Sequence, residues 1–373
     1  MQSTIAMPVS AGVLLWLAAV ADAIGAPAAP VVPEAGLIQL IDKAVGKTAC
    51  TGLAIGVEQN GKRADRFFGT TGNGKRPDAD TEFRIGSITK TFTAALLAWE
   101  DQRGAMHIGD PLQAYAPPGT TVPTYKGQAI SLLDLADHTS ALPRTMPTKG
   151  DQTAEAAAWK YLAGYRLTYA PGTKYLYSNL AFGLLGLAIS DHEKVPLQAL
   201  LTSVVTGPLG LPDTVIDLSA AQKARAARGY QPNGKPATRG SPGFPALDAA
   251  GAASSTLNDM MRYLDFLLGE TNSPLAALIP VMEQNRFPSA NGRGIGLSWQ
   301  IERLANGTQL FYKDGAVPGF SAFMIYAPST MTGAVVLANQ TQCPVQKLGA
   351  TLINDLNQSK GPAPVIESSG DVE

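Results

Sequence analysis

Ser87-Ile88-Thr89-Lys90, Tyr177-Ser178-Asn179 and Lys313-Asp314-Gly315 are the strings in which residue type and order could carry chemistry. A serine hydroxyl attacks a carbonyl only when a base relieves it of its proton. Lys90, three positions after Ser87, would share a helix face with it. Its amine is that base if burial lowers its pKa; otherwise it stays charged and favours the phenolate of a second group. Tyr177 is the natural second group. Asn179 presents a carbonyl and an amide that can hold a substrate amide. Lys313 would attract a substrate carboxylate, and Gly315, having no side chain, would let a substrate approach the strand edge. The N–H groups of Ser87 and Ala316 would be the two donors to a developing oxyanion. Alone, each string has an ordinary meaning: a chance Ser-x-x-Lys, a turn asparagine, a solvated lysine at a strand end. It is the ordered set that points to a serine nucleophile.

These residues need elements to hold them. TGLAIGVEQ, Asn60-Gly61 and KRADRFFG form a hairpin pattern, with Asn-Gly suited to the positive φ angles of a tight turn. From Ile88 to Arg103 the period becomes helical through Phe92, Leu96 and Trp99, with Gly104 as a stop, so Ser87 falls at the first turn of a helix. Helical stretches follow at 132–137, 154–162, 180–189, 197–205 and 258–268, with Pro/Gly-rich connections such as 116–119 and 239–245. Strand patterns return at 296–304, 310–313, 320–326 and 333–338. Early and late strands are expected to share one sheet, with the helical middle inserted between them.

The formal net charge of −1 and the charged fraction of 16% leave no basic stripe for phosphates, so nucleic acid is not an expected partner. The apolar run Ala11–Ala21, followed by the small-x-small string Ala21-Asp22-Ala23, is read as a cleavable export signal, although no Lys or Arg precedes it. The run is shorter than the roughly 20 residues a membrane span needs. Cys50 precedes the expected first strand and Cys343 follows the last, which would set both at one end of an antiparallel pair; a disulfide and two separate buried thiols are both open. His107, His138 and His192 show no ligand spacing, so no metal or cofactor is expected; His138 is read as a loop-fixing residue and the other two as surface residues.

The chain resembles the penicillin-recognising serine hydrolases, in particular the class C β-lactamase-like branch and the periplasmic D-alanyl-D-alanine carboxypeptidase/endopeptidases. The strings that carry the resemblance run from about Gly36 to Leu356: FRIGSITKTFTAALLA, YAPPGTTVPTY, LADHTSALPR, APGTKYLYSNLAFGLLG, STLNDMMRYL, GLSWQI and KDGAVPGFSAF leading to VVLAN. Tyr-x-Asn, rather than Ser-Asp-Asn, separates it from class A. YAPPG and HTSALPR are closer to the peptidase relatives. The resemblance implies Ser87 as the acylated nucleophile, with Lys90 and Tyr177 as its proton shuttle. Asn179 would lie on the acyl-side amide, Lys313 on the carboxylate, and the Ser87 and Ala316 N–H groups on the oxyanion. It departs in one place: Asp314 stands where the family usually has threonine. A carboxylate there would repel a carboxylate substrate if it faces the cleft; it could instead point away or assist a cation.

The expectation is therefore an α+β fold, an antiparallel sheet flanked by helices plus an inserted all-helical domain. Its parts are a signal peptide (1–23), a leader (24–35), a sheet domain (36–110 and 269–358), a helical domain (111–268) and a disordered tail (359–373). The expected protein is a periplasmic monomer acting through an acyl-enzyme on β-lactams, on D-alanyl-D-alanine-type peptidoglycan peptides, or on both. A β-lactamase-like carboxylesterase and a non-catalytic penicillin or cell-wall binder are the alternatives. No Gly-x-Ser-x-Gly elbow occurs to support an α/β-hydrolase.

Overall fold

A computed structural model describes residues 32–147, 155–237, 245–289, 293–364 and 366. The expected signal peptide, most of the leader, most of the 239–245 connection and much of the tail lie outside the described residues.

The chain enters through helix α1 (Glu34–Val45) and forms strands β1 (Gly52–Gln59) and β2 (Lys62–Gly69), then a short β3 (Phe83–Arg84) ahead of helix α2 (Thr89–Gln102). Helices α3 (Leu132–Ala136), α4 (Glu155–Gly164), α5 (Asn179–Glu193), α6 (Leu197–Leu200), α7 (Ala220–Arg225) and α8 (Asp248–Gly251) follow. After β4 (Ser254–Ser255) come α9 (Leu257–Leu267) and α10 (Leu278–Glu283). The chain closes with β5 (Gly294–Ile295), β6 (Gln300–Arg303), β7 (Gln309–Val317), β8 (Phe320–Ala327), β9 (Thr332–Ala338) and α11 (Val345–Leu356).

Seven strands form one sheet in the order β2-β1-β9-β8-β7-β6-β5, antiparallel throughout. The expected union of early and late strands is thus observed, with β1 hydrogen-bonded to β9. The hairpin turns at Asn60 and Gly61, whose φ values of 51° and 77° are those a two-residue turn needs to match the twist of its strands.

Helices cover both faces of this sheet, which is why β1, β8 and β9 are buried along their whole length instead of alternating with polar residues. On one face Leu37 and Ile41 of α1 and Leu348, Leu352 and Leu356 of α11 pack with Ile55, Phe323 and Val336. On the other, α2 and α9 meet Ala54, Met324 and Val335 in a core continuous with the helical part of the chain. Helices α1 and α11 were not among the expected elements, although their apolar residues recur every three or four positions. Two other boundaries move. Of the expected strand over 296–304 only Gln300–Arg303 is strand, as β6, with the short β5 just before it, and the strand expected to stop at Lys313 runs on to Val317.

Cys50 and Cys343 form a disulfide with Cα atoms 5.8 Å apart, beside the end of the sheet where Leu53 pairs with Ala338. Among the described residues no helix is long and apolar enough to cross a membrane.

Candidate active site

Ser87 lies in a 3-10 turn, Gly86–Ile88, that leads directly into α2, one step earlier than the helical first turn expected from periodicity. Strand β3 delivers the chain to this turn, and Ile85 N–H donates to Ala253 O at 3.0 Å to anchor it. The turn presses against β7. Beyond Tyr312 that strand has no pairing with β6, so its edge from Lys313 to Val317 is available on that side. The contact is backbone to backbone: a Cβ on Gly315 would stand 2.0 Å from Ile85 O and 2.9 Å from Ser87 N, and a Cβ on Gly86, which has φ 52°, would stand 2.7 Å from Ala316 N. Gly315 therefore has a structural role that the sequence did not suggest. It permits the close approach of the segment carrying Ser87.

Lys90 and Tyr177 reach Ser87 together. Lys90 Nζ is 3.1 Å from Ser87 Oγ, and it donates to Asn179 Oδ1 at 2.7 Å and to the Ala250 carbonyl at 2.6 Å. Tyr177 OH donates to Ser87 Oγ at 2.5 Å. Three basic side chains surround the Tyr177 ring: Lys90 Nζ at 4.8 Å from its centroid, and Lys313 Nζ and the Arg144 guanidinium carbon each at 5.1 Å. Ser87, Tyr177 with Asn179, and Lys313 come from three segments far apart in the chain, and the fold brings them to one place.

The Tyr177 string is held from behind. Ser178 caps α5, its hydroxyl accepting from Ala181 N at 3.0 Å and donating to Pro143 O at 2.7 Å. Asn179 N donates to Arg144 O at 2.7 Å. His138, with φ 63° and no exposure, accepts from Ser178 N at Nδ1 and lies with its ring 4.4 Å from that of Tyr177. This is the loop-fixing part expected of it; His107 and His192 are exposed. Ser178 takes the capping role, which leaves the Asn179 side chain directed to Lys90 rather than to its own turn.

Burial sets the protonation of the basic groups. Lys90 is fully buried, and loss of hydration lowers its pKa well below the ordinary lysine range; Lys313 and Arg144 push it the same way against the pull of Asp314. Lys313 is also fully buried and falls to about 8, with Asp314 opposing the shift. Burial and the neighbouring cations likewise keep the His138 imidazole neutral. Three acceptors around Lys90 could suit an ammonium. They suit a neutral amine equally well: its two N–H groups meet the two shorter contacts, on Asn179 and Ala250, and its lone pair faces the Ser87 hydroxyl. Burial and the neighbouring cations push Lys90 toward the neutral form.

Lys313 and Asp314 alternate across the sheet. Lys313 faces Tyr177, whereas Asp314, 2% exposed, has a carboxylate oxygen 3.5 Å from Gln346 Nε2 of α11 on the far side. Of the arrangements open to Asp314, the structure selects the one pointing away from Ser87. It acts on the site as a nearby negative charge on the two lysines.

Ser87, Asn179 and Ala316 line a cavity of about 190 Å³, which extends along β7 to Pro318 and is walled by Leu247 and the small residues Ala250–Ala252. A hydroxyl held between an amine whose pKa burial lowers and a phenol, opening onto such a cavity, is an arrangement for nucleophilic attack on a carbonyl. Sequence reasoning missed two contributors. Ala250 acts through its carbonyl, which leaves no signature in residue type, and Arg144 ends the string HTSALPR, where its charge was the available signal.

A family model described as Beta-lactamase matches residues 37–358. The D-alanyl-D-alanine-carboxypeptidase/endopeptidase AmpH of Escherichia coli (strain K12) is 33% identical over 345 residues, which is 86% of this chain and 87% of that protein. A protein named Beta-lactamase from Pseudomonas fluorescens is 30% identical over 324 residues, 78% of this chain and 88% of its own. Among solved structures, a beta-lactamase/D-alanine carboxypeptidase from Yersinia pestis complexed with citrate superposes with a TM-score of 0.76 at 27% identity, covering 86% of this chain and 98% of the other.

Proposed function

Because the chain belongs to the beta-lactamase family, we propose that it is a serine hydrolase that opens β-lactam amides and D-alanyl-D-alanine-type peptides through an acyl-Ser87 intermediate. The observation that carries this reading is the Ser87 hydroxyl within 3.1 Å of the Lys90 amine and 2.5 Å of the Tyr177 phenol, with the pKa of that amine lowered by burial toward the unprotonated form that can accept a proton.

Ser87 Oγ attacks the scissile carbonyl as its proton passes to Lys90. Tyr177 then protonates the leaving nitrogen, the carbon–nitrogen bond breaks, and the proton on Lys90 restores the phenol. Phenolate is tolerated in passing because Lys313 stands 5.1 Å from the ring, where one charge supplies roughly 3 kcal/mol at an effective dielectric near 20. The Ser87 and Ala316 N–H groups take the oxyanion, Asn179 the acyl-side amide and Lys313 the substrate carboxylate. Water then attacks the ester and the same groups move the proton back.

The carboxylesterase reading drew its support from a carboxylate at 314 facing the cleft; with Asp314 on the α11 side that support is gone. A purely binding role is disfavoured by the assembled proton shuttle. We place the enzyme in the periplasm as a monomer; the Cys50–Cys343 disulfide suits an oxidising compartment. Intact mass spectrometry over time with a penicillin and with a D-alanyl-D-alanine peptide tests the reading. Mass added at Ser87 and then lost is the expected course; no adduct with either probe overturns it.

A further inference from the structure

The cavity beside Ser87 holds two charged side chains that the reaction does not use. Arg84, three residues before the nucleophile, lines it half-buried, and among the described residues its guanidinium has no ion-pair partner. Asp248, the first residue of α8, lines the same cavity, also half-buried. Both are only partly solvated: burial lowers the pKa of Arg84 and raises that of Asp248. Each sits in the other's field without making a close ion pair.

Their position relative to the chemistry gives them meaning. The cavity includes Asn179 and continues along β7 through Ala316 to Pro318, away from Lys313, which does not line it. With Lys313 on the leaving-group carboxylate, the cavity lies on the acyl side of the scissile bond. Its remaining wall, Ala250–Ala252, leaves room for a substituent. Asp248 is also shared with a second cavity of about 390 Å³, where Glu155, Asp191 and Asp217 outnumber Lys194. Negative charge therefore accumulates beyond Asp248, whereas the positive charge of Arg84 is next to Ser87.

We propose that Arg84 and Asp248 form an acyl-side subsite for a substituent ending in an amino-acid zwitterion, its carboxylate on Arg84 and its ammonium on Asp248. Guanidinium is matched to carboxylate by its planar fork, and the acids behind Asp248 reinforce the preference for a cation at that end. The inference rests on the acyl-Ser87 reading and adds the class of acyl group the enzyme selects.

Four cephalosporins that differ only in the acyl side chain test it: hexanoyl, 6-aminohexanoyl, adipoyl and 5-aminoadipoyl. The rate of adduct formation at Ser87 is measured for the full chain with each. We expect 5-aminoadipoyl to exceed hexanoyl by about tenfold or more, since a charge-assisted hydrogen bond contributes on the order of 1.5–3 kcal/mol. R84M should remove the advantage of adipoyl over hexanoyl, and D248N that of 6-aminohexanoyl over hexanoyl. The wild-type ratios need no variant to fold. Adducts forming at equal rates from all four compounds overturn the subsite alone, as do ratios unchanged in both variants. No adduct from any of the four compounds instead removes the acyl-Ser87 reading beneath it.

Discussion

Tyr177 is the residue whose removal isolates the chemistry from the fold. Its ring packs on His138, so Tyr177→Phe keeps the packing and deletes only the hydroxyl on Ser87 Oγ. Acylation by a penicillin should fall by roughly 10²–10⁴, the usual worth of a positioned acid–base group, with the thermal midpoint almost unchanged; stopped-flow acylation beside a melting curve checks it. Lys313 sets a pH limit. With a pKa of about 8 it is charged at neutrality and loses its proton as pH rises through that value, so kcat/KM for carboxylate-bearing substrates should fall above about pH 8. Asp314 raises that pKa, so Asp314→Asn should move the alkaline limb to lower pH. A limb that stays in place would show that Asp314 has no electrostatic hold on the site. The strings named the actors, but whether Asp314 opposes the substrate or supports the lysine depended on which sheet face each side chain took.

At the scale of elements, the site depends on how close a turn can come to a strand. Gly315→Ala would place a methyl 2.0 Å from Ile85 O, so the Gly86–Ile88 turn must move off β7 and carry Ser87 with it. The expected result is a loss of acylation of at least about a hundredfold, in line with the cost of misplacing a reacting group by an ångström, together with about 1–3 kcal/mol of stability. Acylation kinetics and urea denaturation measure the two. Wild-type acylation in this variant would show that the contact does not position Ser87. The helix after Ser87 and the hairpin at Asn60-Gly61 were legible because local periodicity and turn chemistry specify them. The 3-10 entry of that helix was not, since it arises where the chain is held between Ala253 and β7.

The whole molecule is closed by one covalent link, between cysteines 293 positions apart in the chain. Cys50→Ser with Cys343→Ser should lower the unfolding free energy by on the order of 3–5 kcal/mol and leave Ser87 acylation near wild type, because the link lies beside α11 and not in the cleft; a urea midpoint equal to wild type would count against it. By itself the sequence determined the types of the reacting groups, the helix that pairs Ser87 with Lys90, the turn that folds β1 onto β2, and a sheet built from both ends of the chain. These follow from spacing along the backbone, and a local pattern can encode spacing. Only the tertiary structure decided that Lys90 is buried and its pKa lowered, that Ala250 offers it a carbonyl, that Gly315 admits the turn of Ser87, and that Asp314 faces α11. Solvation and approach distance depend on everything packed around a group, and residues hundreds of positions away in the chain supply most of it.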